Sequence, residues 1–187
     1  MKRRVFVTSI IVILLSIGAL STHAYIVAQG TATNIITTGK VKIELKEYTL
    51  DENNKRIEYG NEPIAVIPSM QVDKIVNVKN VGNQPAYVRV SVKVLVNSQT
   101  QQNPDLSKII IDYNQTDWTF KDGYWYYMAV LNAGETTKDL FTSVEFSANM
   151  GNEFMNSTVT VDIQAQATQF ANQNVADATD AKGWPTD

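Results

Sequence analysis

The chain has 187 residues, a formal net charge of −3, a single histidine and no cysteine. No disulfide can staple it, so one sizeable hydrophobic core must hold it together. Its weakly acidic balance gives it no electrostatic reason to seek nucleic acid or anionic lipid.

Lys2, Arg3 and Arg4 open the chain with positive charge, Val5 to Leu15 is apolar apart from Thr8 and Ser9, and Ser21-Thr22-His23-Ala24 ends the run with small residues. This layout predicts a secretory signal peptide over residues 1–24, cut by a signal peptidase between Ala24 and Tyr25, with Ala28 as second choice. Its apolar core of about 16 residues is short of the roughly 20 that a spanning helix needs, so no stable membrane span is expected after cleavage. Cleavage removes three positive charges and no negative ones, which moves the balance from 16 against 19 to 13 against 19, about −6. It also removes His23, the only histidine. A Ser-His-Asp triad, a Cys-His pair and the usual zinc ligands are then all missing, and the sequence implies neither a catalytic site, a metal nor a cofactor.

Residues 25–39 carry no charge and are rich in Ile, Val, Thr and Tyr, which favour strands. Residues 40–187 then show period-two alternation. Val41, Ile43 and Leu45 alternate with lysine and glutamate, and a strand is expected over Val72–Val81. Val88, Val90, Val92, Val94 and Val96 share one face of a strand whose other face carries Tyr87, Arg89, Ser91 and Lys93. The aromatic runs around Asp122-Gly123 read as a tight hairpin. Lys138 to Ala148 reads as a further strand, and Val159, Val161, Ile163, Ala165 and Ala167 alternate with Thr, Asp and Gln near the end. One helical turn is expected after Pro104, and a short helical segment within Ala171 to Gly183. About eight strands without a helix of any size predict one all-β domain, a jelly-roll or Greek-key antiparallel β-sandwich.

Chemistry is harder to find. Asp112, Asp117, Asp122, Asp139 and Glu145 lie near aromatics and leave a glycosidase-type carboxylate pair conceivable, but acids on outward faces and turns are the plainer reading. Asp51-Glu52-Asn53-Asn54 offers oxygen ligands without the spacing of a calcium loop. Trp118, Tyr124, Trp125 and Tyr126 could form a glycan-stacking platform, although alternation sends half of such a run inward, where cross-strand packing claims it.

The run "AYIVAQGTATNIITTGKVKIELKE" behind the signal resembles the exported proteins matured by SipW-type signal peptidase, the TasA/camelysin (CalY) family. The similarity continues through "IPSMQVDKIVNVKNVGNQPAYVRVSV", "GYWYYMAVLNAGETTKDLFTSVEF" and "ATQFANQNVADATDAKGWP", in order along almost the whole chain. It implies a jelly-roll sandwich, export to the cell surface or extracellular matrix, and a role as a subunit of biofilm-matrix fibres. Some members are catalogued as metallo-endopeptidases, an activity for which residues 25–187 hold no histidine or cysteine ligand.

The uncharged tail fits that role physically. An extended segment can add itself to an open sheet edge, with main-chain hydrogen bonds for affinity and alternate side chains for register. Donation of Tyr25, Ile26, Val27, Ile35 and Ile36 to a neighbouring copy after signal cleavage would make a head-to-tail homopolymer. The alternatives are that the tail pairs with its own sandwich or stays unpaired, and that the protein is a monomeric adhesin or carbohydrate-binding module.

Overall fold

The computed structural model describes residues 26–35, as backbone, together with 41–60, 64–98 and 103–185. The signal segment, the cleavage residues Ala24 and Tyr25, and Ile36 lie outside the described residues.

Eleven strands run in the order β1 (Ile26–Ile35), β2 (Ile43–Leu50), β3 (Arg56–Glu58), β4 (Ile64–Val66), β5 (Gln71–Asn80), β6 (Ala86–Asn97), β7 (Ile109–Ile111), β8 (Trp118–Lys121), β9 (Tyr124–Tyr127), β10 (Phe141–Phe146) and β11 (Thr158–Gln169). They form a six-stranded sheet ordered β4-β1-β11-β6-β9-β8 and a five-stranded sheet ordered β3-β2-β5-β10-β7. The chain crosses repeatedly from one sheet to the other, and every strand pair is antiparallel except β1 with β11. The expected all-β sandwich is therefore the observed fold.

The alternating residues meet between the sheets. Val88, Val90, Val159, Val161, Ile163, Ala165 and Ala167 from one sheet pack with Val41, Ile43, Leu45, Val76, Val78, Phe141 and Phe146 from the other side. Burying a Val, Ile or Phe side chain stabilises by about 1.5–3 kcal/mol, which is how a chain without disulfides holds this shape. The Asp122-Gly123 link has φ of 51° and 84°, both positive, as a two-residue type I′ hairpin requires.

Two expectations need correction. The C-terminal helical segment reduces to one 3-10 turn at Ala178–Asp180, because the preceding Asn172 and Asn174 take left-handed φ of 63° and 49°. And residues 26–35 are no appendage: they form an interior strand of the six-stranded sheet.

Candidate functional site

Strand β1 lies between two partners of unequal reach. Along β11 it runs parallel, in register from Val27↔Thr158 through Ile35↔Gln166. Along β4 it is antiparallel over only Ile26↔Val66, Val27↔Ala65 and Ala28↔Ile64. Of the five expected donor residues, Ile26, Val27 and Ile35 thus occupy a strand paired within their own chain, while Tyr25 and Ile36 are outside the described residues.

The register also says what the strand contributes. Ala28, Gly30 and Ala32 stand opposite Val159, Val161 and Ile163, three core residues of β11. These are small residue types with little apolar area to add, so main-chain hydrogen bonding carries the pairing. Parallel pairs are also slightly weaker per residue than antiparallel ones.

The aromatic hairpin does not assemble the expected platform. Trp118 and Trp125 are core residues at 1% and 8% exposure, and the Trp118 indole N–H donates to the Lys138 carbonyl at 3.1 Å. Tyr126 is buried on the opposite face of the sheet, in a second cluster with Tyr87, Ala178 and Ala181. Tyr124 is half-buried under the Arg89 guanidinium, which sits 3.8 Å from its ring centroid and 4.6 Å from that of Trp184. Arg89 also donates from Nε to Gln166 Oε1 at 2.8 Å and from Nη1 to the Tyr126 hydroxyl at 3.3 Å. The cross-strand alternation that builds the core consumes these rings.

Tyr113 stacks on Trp125 with centroids 4.3 Å apart and meets Phe141 edge-on at 5.8 Å. Burial pushes its hydroxyl up to about 12. The folded state then holds that proton more tightly than the unfolded chain, so stability present below pH 10 is lost as pH rises from about 10 towards 12. In a phenolate absorbance titration, Tyr113 is expected to ionise late together with Tyr59, which burial and the Glu47 charge also raise, and Tyr113→Phe is expected to shrink that late step by one tyrosine. An unchanged late step in the variant would refute the assignment.

Asp112, Asp139, Asp117 and Asp51 are tied into the fold by hydrogen bonds. Asp112 accepts from the backbone N–H groups of Thr142 and Ser143 and from the Thr142 hydroxyl. Asp139 accepts from both Arg56 guanidinium nitrogens, at 3.1 and 2.7 Å, and from Asn77 Nδ2 at 2.9 Å. Asp117 accepts from Asn114 Nδ2, and the Asp51 carboxylate closes its turn on the N–H groups of Asn53 and Lys55. Among the described residues no three His, Cys, Asp or Glu side chains are grouped to hold a metal ion, and no helix is long and apolar enough to cross a membrane.

Sequence reasoning missed the buried pair Lys74–Glu47, 2.8 Å apart with side chains 3% and 11% exposed. The signal was a break in alternation at Lys74-Ile75, where both residues are buried. Between Phe141↔Val76 and Ser143↔Asp73, β5 supplies two residues against the single Thr142 of β10. Such a bulge re-aims side chains, and here a lysine takes a buried position.

Compared with known proteins, the chain matches no family model and no curated sequence.

Proposed function

We propose that this protein is a secreted structural subunit of extracellular or biofilm-matrix fibres of the TasA/camelysin kind, in which the slot beside β11 is filled by β1 of a neighbouring copy. The observation that carries this reading is the β1–β11 register: an uncharged strand at the start of the exported chain, paired in parallel with a strand some 130 residues away and held on its other side over three residues. A strand that another copy supplies makes the same hydrogen bonds as the chain's own. Exchange therefore costs no contacts in the sheet, and it releases each copy's own β1 to fill the next. The contact is heterologous and does not close, so it grows a filament. Cleavage after Ala24 supplies the trigger, since it frees the end of the strand that must move.

The chain has no native cysteine, which makes a direct test possible. Gln29 and Thr160 are in register on β1 and β11, so a Gln29→Cys/Thr160→Cys chain beginning at Tyr25 reports where β1 is paired. Oxidation at high protein concentration is expected to give a ladder of covalent oligomers on a non-reducing gel, with filaments by negative-stain electron microscopy. Complete cross-linking within single chains at every concentration would refute strand donation.

A further inference from the structure

The hairpin leaves one aromatic ring outside the core. Phe120 is 59% exposed, although it shares a strand face with the buried Trp118, two residues before it. Its ring leans on that of Trp125, with centroids 5.1 Å apart and planes at 48°. Beside it runs an open groove of about 430 Å³ lined by Gln115, Trp118, Thr119, Phe120 and Trp125. No charged side chain lines this groove. The Gln115 amide is exposed and makes no hydrogen bond within the described residues.

The backbone adds further groups. β8 ends its sheet and pairs only with β9. Lys121↔Tyr124 closes the two-residue hairpin, and Met128 N–H donates to the Asp117 carbonyl at 2.9 Å. In an antiparallel ladder hydrogen-bonded pairs alternate with open ones, so Trp118 and Phe120 are the open positions; Trp118 is buried, and Phe120 is the one that presents its N–H and C=O groups at the unpaired edge. The groove thus combines an exposed ring, a free amide and a main-chain donor and acceptor, with no charge.

The geometry points to a binding site for a neutral sugar ring of a polysaccharide, stacked on Phe120, with its hydroxyls met by the Gln115 amide and the free edge of β8 at Phe120. A pyranose offers apolar C–H faces to an aromatic ring and hydroxyls at its rim, which is the division this groove presents. An anionic ligand would find no countercharge in the lining. A purely apolar one would leave the amide and the edge groups without partners. This site lies at the opposite end of the sheet from β1 and does not depend on strand donation.

Affinity electrophoresis of the full chain through gels containing dextran, mannan or galactan tests it. Retardation by at least one of these neutral polysaccharides is expected. Phe120→Ala is expected to weaken it about tenfold, as loss of one ring contact of roughly 1.4 kcal/mol gives, and Phe120→Trp to preserve it. Gln115→Ala is expected to weaken it severalfold. Because Phe120 is exposed, the Ala variant is expected to melt at the wild-type temperature, so lost binding would not reflect lost fold. A second readout is tryptophan fluorescence, since Trp125 touches the Phe120 ring. The proposal is overturned if no neutral polysaccharide retards the protein, if only an anionic one does, or if Phe120→Ala is retarded as strongly as wild type.

Discussion

A chain that begins at Lys40 is expected to lose most of its stability, and to recover it when a synthetic peptide of residues 25–39 is added. Without β1, the nine β11 residues from Thr158 to Gln166 lose their partners on that side, and β4 loses its only sheet neighbour. A ladder of that length makes on the order of nine hydrogen bonds, each contributing about 0.5–1.5 kcal/mol net. The loss is therefore on the order of 5 kcal/mol or more, comparable with the roughly 5–15 kcal/mol that holds a whole domain together. Thermal melts followed by circular dichroism measure it. Rescue should follow mass action, with about 2.7 kcal/mol regained at a peptide concentration 100 times its dissociation constant. A peptide of the same composition in reversed order cannot reproduce the parallel register and serves as the control. A truncated chain that melts with the full-length protein, indifferent to peptide, would show that the slot carries no stability worth exchanging. Rescue in trans is the physical precondition for a fibre, because a neighbour's strand is such a peptide attached to another copy.

The parts of this fold legible in the sequence are those where one residue's environment is set by its own strand. Val159 to Ala167 and Val41 to Leu45 alternate because one side of each strand is core, and period two records that directly. Asp122-Gly123 was legible because few other residue pairs accept two positive φ values. What an alternation cannot record is what covers the other side. Tyr87, Gln166 and Thr168 stand on the outward face by pattern, yet are only 3%, 1% and 3% exposed. The C-terminal stretch folds back over them: Thr168 Oγ1 donates to the Lys182 carbonyl at 2.8 Å, and Ala178 and Ala181 pack on Tyr87 and Tyr126. The same limit explains the aromatic hairpin, where Trp118 and Phe120 alternate identically but only Trp118 lies over the core. The partner of β1 was illegible for another reason. Its residues are uncharged, which states that it can pair but not with which strand.

Replacing Glu47 with glutamine is expected to destabilise the protein strongly at neutral pH and much less at alkaline pH. Lys74 Nζ sits 2.8 Å from Glu47 Oε2 and 3.8 Å from the centroid of the Tyr59 ring, while Glu47 Oε1 is buried with no hydrogen-bond partner. Burial holds the Lys74 pKa below that of a free lysine, with the charge and hydrogen bond of Glu47 opposing the shift. A lysine with a depressed folded pKa binds fewer protons when folded than when unfolded. Its contribution to stability therefore improves as pH climbs through the folded value and levels off near 10.5. Glu47→Gln removes the opposing charge and leaves an ammonium uncompensated in the core, a change that costs about 3–5 kcal/mol in buried pairs. Raising the pH lets Lys74 shed its proton, so the gap between variant and wild type should narrow from pH 7 to pH 10. Burial holds the hydroxyls of Tyr59 and Tyr113 above the ordinary tyrosine value of 10, with Glu47 adding to the rise at Tyr59, so their ionisation weakens the protein only above that range. Lys74→Met/Glu47→Leu, which removes both charges and keeps the volume, is expected to melt at or above the wild-type temperature. Denaturant unfolding of the three proteins at the two pH values decides the matter. A Glu47→Gln cost that is small, or equal at both pH values, would mean that Lys74 reaches water in solution and that its charge is not confined by the bulge of β5.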